Sequence, residues 1–160
     1  ASAIRTRYFV TYMAAWVIIG NLFAGIFLSA GPAFYGSVTG DAARFGDQLA
    51  FLSQGDIGQH SARYLQIYLW EMYDSGTAGF GSGISAFPSM HVALVMLNAL
   101  FLMEIDRRLG AVALGYVAFV LASSVYLAWH YALDGYAAVV LTILLYLAVK
   151  MASGQVKAAT

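Results

Sequence analysis

The chain alternates between long apolar stretches and shorter polar segments. The apolar stretches cover residues 8–29, 87–103, 111–129 and 131–149. A helix rises about 1.5 Å per residue, so some 20 apolar residues cross a hydrocarbon layer of roughly 30 Å. The pattern therefore predicts an all-α bundle of four transmembrane helices, the second of them short. A cleaved signal peptide is the alternative for the first stretch.

A polar region, residues 31–83, separates the first two apolar stretches. Its spacing of apolar residues predicts a helix over 41–53, with Asp41 as N-cap and Gly55 as the stop. A second short helix is predicted over 61–74, where tyrosines and a tryptophan suit a membrane–water interface. These interfacial helices are expected either to cap the bundle or to gate access of a substrate.

Composition agrees with a membrane location. Of the 160 residues, 61% are hydrophobic and 10% charged, against about 45–50% and 25% in soluble domains. The net charge is zero, which gives no sign of a nucleic-acid partner. Disulfides and thiolate metal sites are excluded because cysteine is absent. Without repeats or linkers, residues 1–160 are interpreted as one membrane-embedded domain.

The basic residues predict the orientation. With four crossings, six of them fall on one side of the membrane: Arg5, Arg7, Arg107, Arg108, Lys150 and Lys157. By the positive-inside rule, both termini are cytoplasmic and the 31–83 loop lies outside. The expected location is a membrane, here interpreted as a bacterial inner membrane, with any site at the loop end facing the extracytoplasmic side.

Two pairs of polar residues stand at the starts of the second and fourth stretches. Ser89 and His91 begin one, and His130 and Asp134 begin the other. In the predicted topology both helix N-termini lie at the outer face, where unpaired N–H groups and the helix dipole favour an anion. His130 and Asp134 are four residues apart, so a carboxylate can orient the imidazole as a nucleophile or base requires. The alternative is a structural hydrogen-bonded pair.

These segments are similar to known motifs. Phe-Pro-Ser-Met-His at 87–91 and His-Tyr-Ala-Leu-Asp at 130–134 resemble the second and third signature motifs of the type 2 phosphatidic acid phosphatase superfamily. The resemblance covers residues 81–135. It implies a membrane-embedded enzyme that needs no metal or cofactor and works through a phosphohistidine.

The resemblance also implies roles for the individual residues. His130 corresponds to the nucleophile that attacks phosphorus, and Asp134 to the residue that orients and activates it. His91 corresponds to the general acid that protonates the leaving oxygen. Ser89 corresponds to a phosphate clamp.

Two positions depart from the phosphatase branch of that superfamily. Met90 replaces a glycine, and Ser124 replaces an arginine. The first motif, which carries a lysine and an arginine, is not found, so Arg63 and Arg44 of the outer loop are candidates for phosphate binding. The pattern is closer to the branch of inositol-phosphorylceramide and sphingomyelin synthases. Six spans are usual in the family, so two N-terminal spans are expected to be absent from this chain or lost in this member.

The predicted function is transfer of a phosphate-bearing headgroup between a lipid and an alcohol. With water as acceptor, the same machinery would be a lipid phosphate phosphatase. The expected partners are a lipid phosphate or phospholipid and the membrane lipids, with the oligomeric state open. Two histidines and a carboxylate could instead form an iron or zinc triad, and a non-catalytic membrane subunit is a third interpretation. His60 is expected to be a solvent-exposed loop residue.

Overall fold

The computed structural model describes residues 3–54, 58, 61–77 and 83–158, with side chains to residue 154. Helices make up 78% of these residues, and no strand occurs among them. The predicted all-α class is therefore confirmed.

Helices follow one another through the described part of the chain. They are α1 (Ala3–Val17), a π-helical segment (Ile18–Phe23), α2 (Ala24–Ile26), α3 (Pro32–Thr39), α4 (Gly46–Leu52), α5 (Ala62–Asp74), α6 (Met90–Ile105), α7 (Arg107–Tyr126) and α8 (Ala132–Ala158). The π-helical segment joins α1 and α2 into one continuous helix.

Three of the four apolar stretches form helices long enough to cross a membrane: Ala3–Ile26, Arg107–Tyr126 and Ala132–Gly154. Helix α6 has 16 residues and extends about 24 Å. It is shorter because residues 87–89 remain outside the helix, with Ser89 in extended geometry as the N-cap. The structure therefore supports an integral membrane protein, but the predicted count of four spans is not confirmed.

The two short helices predicted in the outer region have different outcomes. Helix α5 agrees with the prediction for 61–74, and Ser61 caps it by accepting a hydrogen bond from the N–H of Tyr64. Helix α4 is shorter than predicted. Phe45, not Asp41, stands at its N-cap position.

Asp41 is not a cap because α4 begins only at Gly46, and an unpredicted helix, α3, ends just before Asp41. Pro32 occupies the first turn of α3, and Gly40 ends this helix with a left-handed φ of 80°. Asp41 then lies in the following turn, where its N–H donates to the hydroxyl of Thr39. Gly55, the predicted stop, lies outside the described residues.

Helix α6 is the centre of the bundle and packs against α1, α7 and α8. The core between these helices is built largely from small and β-branched side chains: Ala15, Ile19, Val92, Ala93, Met96, Ala99, Val117 and Ala138. Small residues allow helices to approach closely in a membrane, where van der Waals packing replaces the hydrophobic effect. Large apolar side chains such as Val112 and Phe119 of α7 point outward, as lipid contact requires.

A charged cluster joins three helices at one end of the bundle. The carboxylate of Glu104, near the end of α6, lies 2.6 Å from the guanidinium of Arg7 and 2.8 Å from Nζ of Lys150. The start of α1 and the later part of α8 therefore meet at this end. His91 lies at the opposite end of α6.

Candidate active site

The two motif segments meet at the end of the bundle opposite Glu104. The ring centroids of His91 and His130 are 6.2 Å apart, with the rings inclined at 63°. The backbone N–H of Ser89 donates to the backbone carbonyl of Asp134 at 3.2 Å. This bond joins the start of α6 to the start of α8, so the two motifs form one site.

His130 lies in the turn between α7 and α8 and is 9% exposed. Its Nδ1 is 2.8 Å from the carbonyl oxygen of Ala86. A carbonyl can only accept a hydrogen bond, so Nδ1 carries the proton. Among the described residues, none makes a hydrogen bond to Nε2. In the neutral ring this nitrogen therefore keeps a free lone pair.

Asp134 is buried beside this ring but bonds elsewhere. Its Oδ2 lies 3.7 Å from Nδ1 of His130, which is beyond hydrogen-bond distance. The same oxygen accepts the N–H of Tyr131 at 2.8 Å. The carboxylate thus caps the first turn of α8. It is also close enough to stabilise positive charge on the imidazole electrostatically.

The two residues of the first pair have different surroundings. His91 is exposed in the first turn of α6 and lines a cavity shared with His130. Ser89 is fully buried, and its hydroxyl accepts the N–H of Val92 at 3.5 Å as the N-cap of α6. Ser89 is not among the residues that line the cavity, so its role as a phosphate clamp stays a prediction.

The cavity has a volume of about 620 Å³ and lies at the end of the bundle that carries both histidines. Its polar lining includes two imidazoles and three serine hydroxyls: His91, His130, Ser85, Ser123 and Ser124. The rest of the wall is mainly apolar, with Ala24 of α2, Leu65 and Tyr68 of α5, and Val120 of α7. The cavity therefore combines polar groups suited to a headgroup with apolar side chains suited to hydrocarbon.

The sequence pointed to Ser124 only as the position where the phosphatase branch has an arginine, and it gave no sign of Ser123. Ser124 donates its hydroxyl to the carbonyl of Leu121. Its own carbonyl accepts the N–H groups of Trp129 and His130. A usable signal was the position of this hydroxyl pair at the outer end of an apolar stretch, six residues before the histidine.

The two candidate arginines lie away from this cavity. Arg63 lines a second cavity of about 260 Å³ together with Asp41, and its Nη1 donates to Oε1 of Gln66 at 3.4 Å. Arg44 is exposed, with its guanidinium 5.4 Å from the ring centroid of Tyr35. Phosphate binding by either arginine stays a prediction. His60 lies outside the described residues.

The described residues contain no group of three histidine, cysteine, aspartate or glutamate side chains arranged to hold a metal ion. His130 lies near both His91 and Asp134, but Asp134 directs an oxygen to the backbone N–H of Tyr131.

Comparison with known proteins identifies the family. The sequence pattern of the PAP2 superfamily matches residues 2–148, which includes both motif segments and nearly all of the bundle. No curated protein and no solved structure matches the chain. Members of the superfamily are phosphatases or phosphotransferases of lipid phosphates. The predicted resemblance is confirmed at this level, while the sphingomyelin synthase-like branch is not confirmed. Because the match covers most of the chain, the protein belongs to the PAP2 superfamily.

Proposed function

We propose that the protein is a lipid phosphotransferase that moves a phosphate-bearing headgroup between a lipid and an alcohol through a phosphohistidine. The observation that supports this most directly is the pair of imidazoles facing one cavity, 6.2 Å apart between ring centroids. Both imidazoles line the same cavity, so a phosphoryl group bound there is within reach of one ring as nucleophile and of the other as acid. The chain acts as one membrane-embedded domain.

The first half-reaction follows from the tautomer of His130. With Nδ1 bonded to the carbonyl of Ala86, Nε2 attacks phosphorus and forms a P–N bond. The P–O bond to the lipid alcohol breaks, and His91 gives its proton to the departing oxygen. Positive charge then develops on the imidazole of His130, and the carboxylate of Asp134, 3.7 Å away, stabilises it.

The second half-reaction reverses these steps with a new alcohol. His91, now neutral, removes the proton from the acceptor hydroxyl as that oxygen attacks phosphorus. The P–N bond breaks, and Nε2 of His130 recovers its lone pair. The acceptor leaves with the headgroup, and both imidazoles return to their starting protonation states.

The charge of the cavity favours a phosphodiester as donor. None of the described residues that line it is a lysine or an arginine. A phosphate monoester carries about 1.5 to 2 negative charges at neutral pH, whereas a diester carries a single one. Neutral hydroxyls such as that of Ser123, together with the N-terminus of the 16-residue helix α6, stabilise one negative charge more readily than two. This supports headgroup transfer over hydrolysis of a monoester.

The surroundings of the site fit a lipid substrate. Apolar residues of three helices wall the cavity, including Ala24, Leu65 and Val120. The cluster of Arg7, Glu104 and Lys150 occupies the other end of the bundle, in agreement with basic residues on the cytoplasmic side. We place the site at the extracytoplasmic face, within reach of headgroups of that leaflet.

A lipid phosphate phosphatase is the second candidate. The exposure of His91 favours it, because water has access to the proposed general acid. In that case water replaces the alcohol in the second half-reaction and free phosphate is the product.

One experiment separates the two candidates. Purified protein in detergent is given either phospholipid donors or lipid phosphate monoesters, each with and without an added lipid alcohol, and products are followed by phosphorus NMR and mass spectrometry. Headgroup transfer that depends on the alcohol supports the transferase. Abundant free phosphate from lipid phosphates without alcohol contradicts it and supports the phosphatase. If His130→Ala and the parent protein have equal activity, both proposals are wrong.

A further inference from the structure

His130 is carried by a short turn with unusual backbone geometry. Helix α7 ends at Tyr126, and Ala128 follows with a φ of 61° although it has a side chain. This left-handed conformation is uncommon for residues other than glycine, and it persists only where the surroundings impose it. Ala128 is fully buried, so the packing around the turn supplies that constraint.

Bonds from the outer helices hold this turn from one side. The carbonyl of Leu127 accepts a hydrogen bond from Nε2 of Gln66 at 2.7 Å. The carbonyl of Ala128 accepts the N–H of Ala33 at 2.9 Å. Two successive carbonyls, one and two residues beyond α7, are therefore bound by residues of α5 and α3.

Gln66 is 1% exposed, and both ends of its side-chain amide are bonded. Oε1 accepts Nη1–H of Arg63 at 3.4 Å, while Nε2 donates to Leu127. The reverse orientation would set the amide nitrogen against a guanidinium donor and the amide oxygen against a carbonyl. The two partners thus determine a single orientation of the amide.

A second glutamine provides a natural comparison. Nε2 of Gln48, on α4, donates to the carbonyls of Val125 and Tyr126 at 3.0 and 2.9 Å. Like Gln66, it donates a side-chain N–H to backbone carbonyls, but these carbonyls belong to the last turn of α7 and not to the turn that carries His130.

Building on the proposed function, we infer that Gln66 is a positioning residue for His130. By binding the Leu127 carbonyl, it holds the turn so that Nδ1 of His130 reaches the carbonyl of Ala86. This contact keeps the proton on Nδ1 and the lone pair on Nε2. Gln66 does not line the cavity that holds the histidines, so its effect passes through the backbone rather than through the substrate.

The test compares Gln66→Leu and Gln66→Glu with Gln48→Leu. Leucine removes the amide, and an ionised glutamate keeps its shape but cannot donate to Leu127. Both variants are expected to lose about 10-fold or more in kcat, the effect of a displaced catalytic group, with KM unchanged. Gln48→Leu is expected to stay within about twofold of the parent, because its carbonyl partners lie within α7 rather than in the turn.

Imidazole nitrogen NMR gives a readout that needs no substrate. The chain has three histidines, so protein labelled with ¹⁵N-histidine gives few ring signals, and His130→Ala assigns the one in question. The parent is expected to show His130 protonated at Nδ1, and the Gln66 variants a mixture of tautomers. Should Gln66→Leu fail to fold, Gln66→Glu carries the test.

The outcomes separate this inference from the proposed function. An unchanged Nδ1-protonated signal in a folded Gln66 variant overturns the positioning role, whatever the activity. A loss of that signal supports the role even if the parent shows neither transfer nor hydrolysis, and in that case only the proposed reaction fails. A Gln48→Leu variant that loses the signal equally also overturns the inference, because the effect would then not depend on the hydrogen bond to the Leu127 carbonyl.

Discussion

Nδ1 of His130 lies 2.8 Å from the carbonyl oxygen of Ala86 but 3.7 Å from Oδ2 of Asp134. The main chain, three residues before Ser89, therefore sets the tautomer of the proposed nucleophile. Asp134 contributes charge at 3.7 Å and caps α8. Orientation and charge, which the resemblance assigned together to Asp134, are divided between two groups.

This division predicts the behaviour of Asp134→Asn. Asparagine keeps an oxygen for the N–H of Tyr131, and Ala86 still holds the His130 ring, so folding should be little affected. The negative charge beside the imidazole is lost. We expect kcat to fall by about 100-fold, the scale of removing one electrostatic stabiliser, with little change in thermal unfolding. Asp134→Ala serves as the comparison, since it should also lose stability through the missing cap. Full activity of Asp134→Asn would contradict a role for the charge.

The two histidines are predicted to differ in their dependence on the leaving group. His130→Ala should abolish turnover of every substrate, because no nucleophile remains. His91→Ala should lose about 10²–10⁴-fold on a lipid alkoxide leaving group, the usual contribution of a general acid. It should lose much less on a nitrophenyl ester, whose leaving group needs no proton. Kinetics on the two substrate types measure this. An equal loss on both would show that His91 does not act as the acid.

Ser89→Ala is predicted to act first on stability. The hydroxyl of Ser89 is fully buried and caps α6, and loss of such a cap costs about 1 kcal/mol. We expect a lower unfolding temperature, measured by fluorescence or circular dichroism in detergent, and recovery with Ser89→Thr. A large rise in KM with unchanged stability would instead support the predicted phosphate clamp.

Arg63→Ala distinguishes the two roles considered for this residue. If Arg63 binds substrate phosphate, its removal should raise KM. If it orients the amide of Gln66, from which it is 3.4 Å away, kcat should fall modestly with KM unchanged. We expect the second result, because Arg63 lines the cavity with Asp41 rather than the one with the histidines. Arg44→Ala is the comparison, because Arg44 is the other phosphate-binding candidate and is exposed in the turn before α4. A rise in KM for Arg63→Ala alone would restore the phosphate-binding role of Arg63.

Two glycines provide a matched test of how closely the outer loop packs on the site. A Cβ at Gly31 would overlap with the backbone carbonyl of Trp129, the residue before His130, whereas a Cβ at Gly25 meets nothing within 4 Å. Gly31→Ala should therefore destabilise the protein by about 1–3 kcal/mol, the range for overpacking, and reduce activity. Gly25→Ala should be neutral or slightly stabilising, because alanine favours a helix. Equal unfolding temperatures for the two variants would contradict this packing.

The sequence by itself determined the helical class, the approximate places of the apolar helices and the pairing of two motifs. These features follow from local periodicity and from the shared position of both histidines at helix starts. Helix α5 was predicted over 61–74 for the same reason, and the structure adds that Ser61 caps it.

Only the tertiary structure decided which groups surround the histidines. The carbonyl of Ala86 leaves no signal in the sequence, because every residue has a backbone carbonyl. Only the geometry of the fold selects this one. The burial of Ser89 depends on how the starts of α6 and α8 meet. The place of Arg63 in a separate cavity and the bond from Gln66 to Leu127 depend on how α3, α4 and α5 pack over the bundle. Such long-range packing is set by the whole set of contacts, so it could not be derived from spacing along the chain.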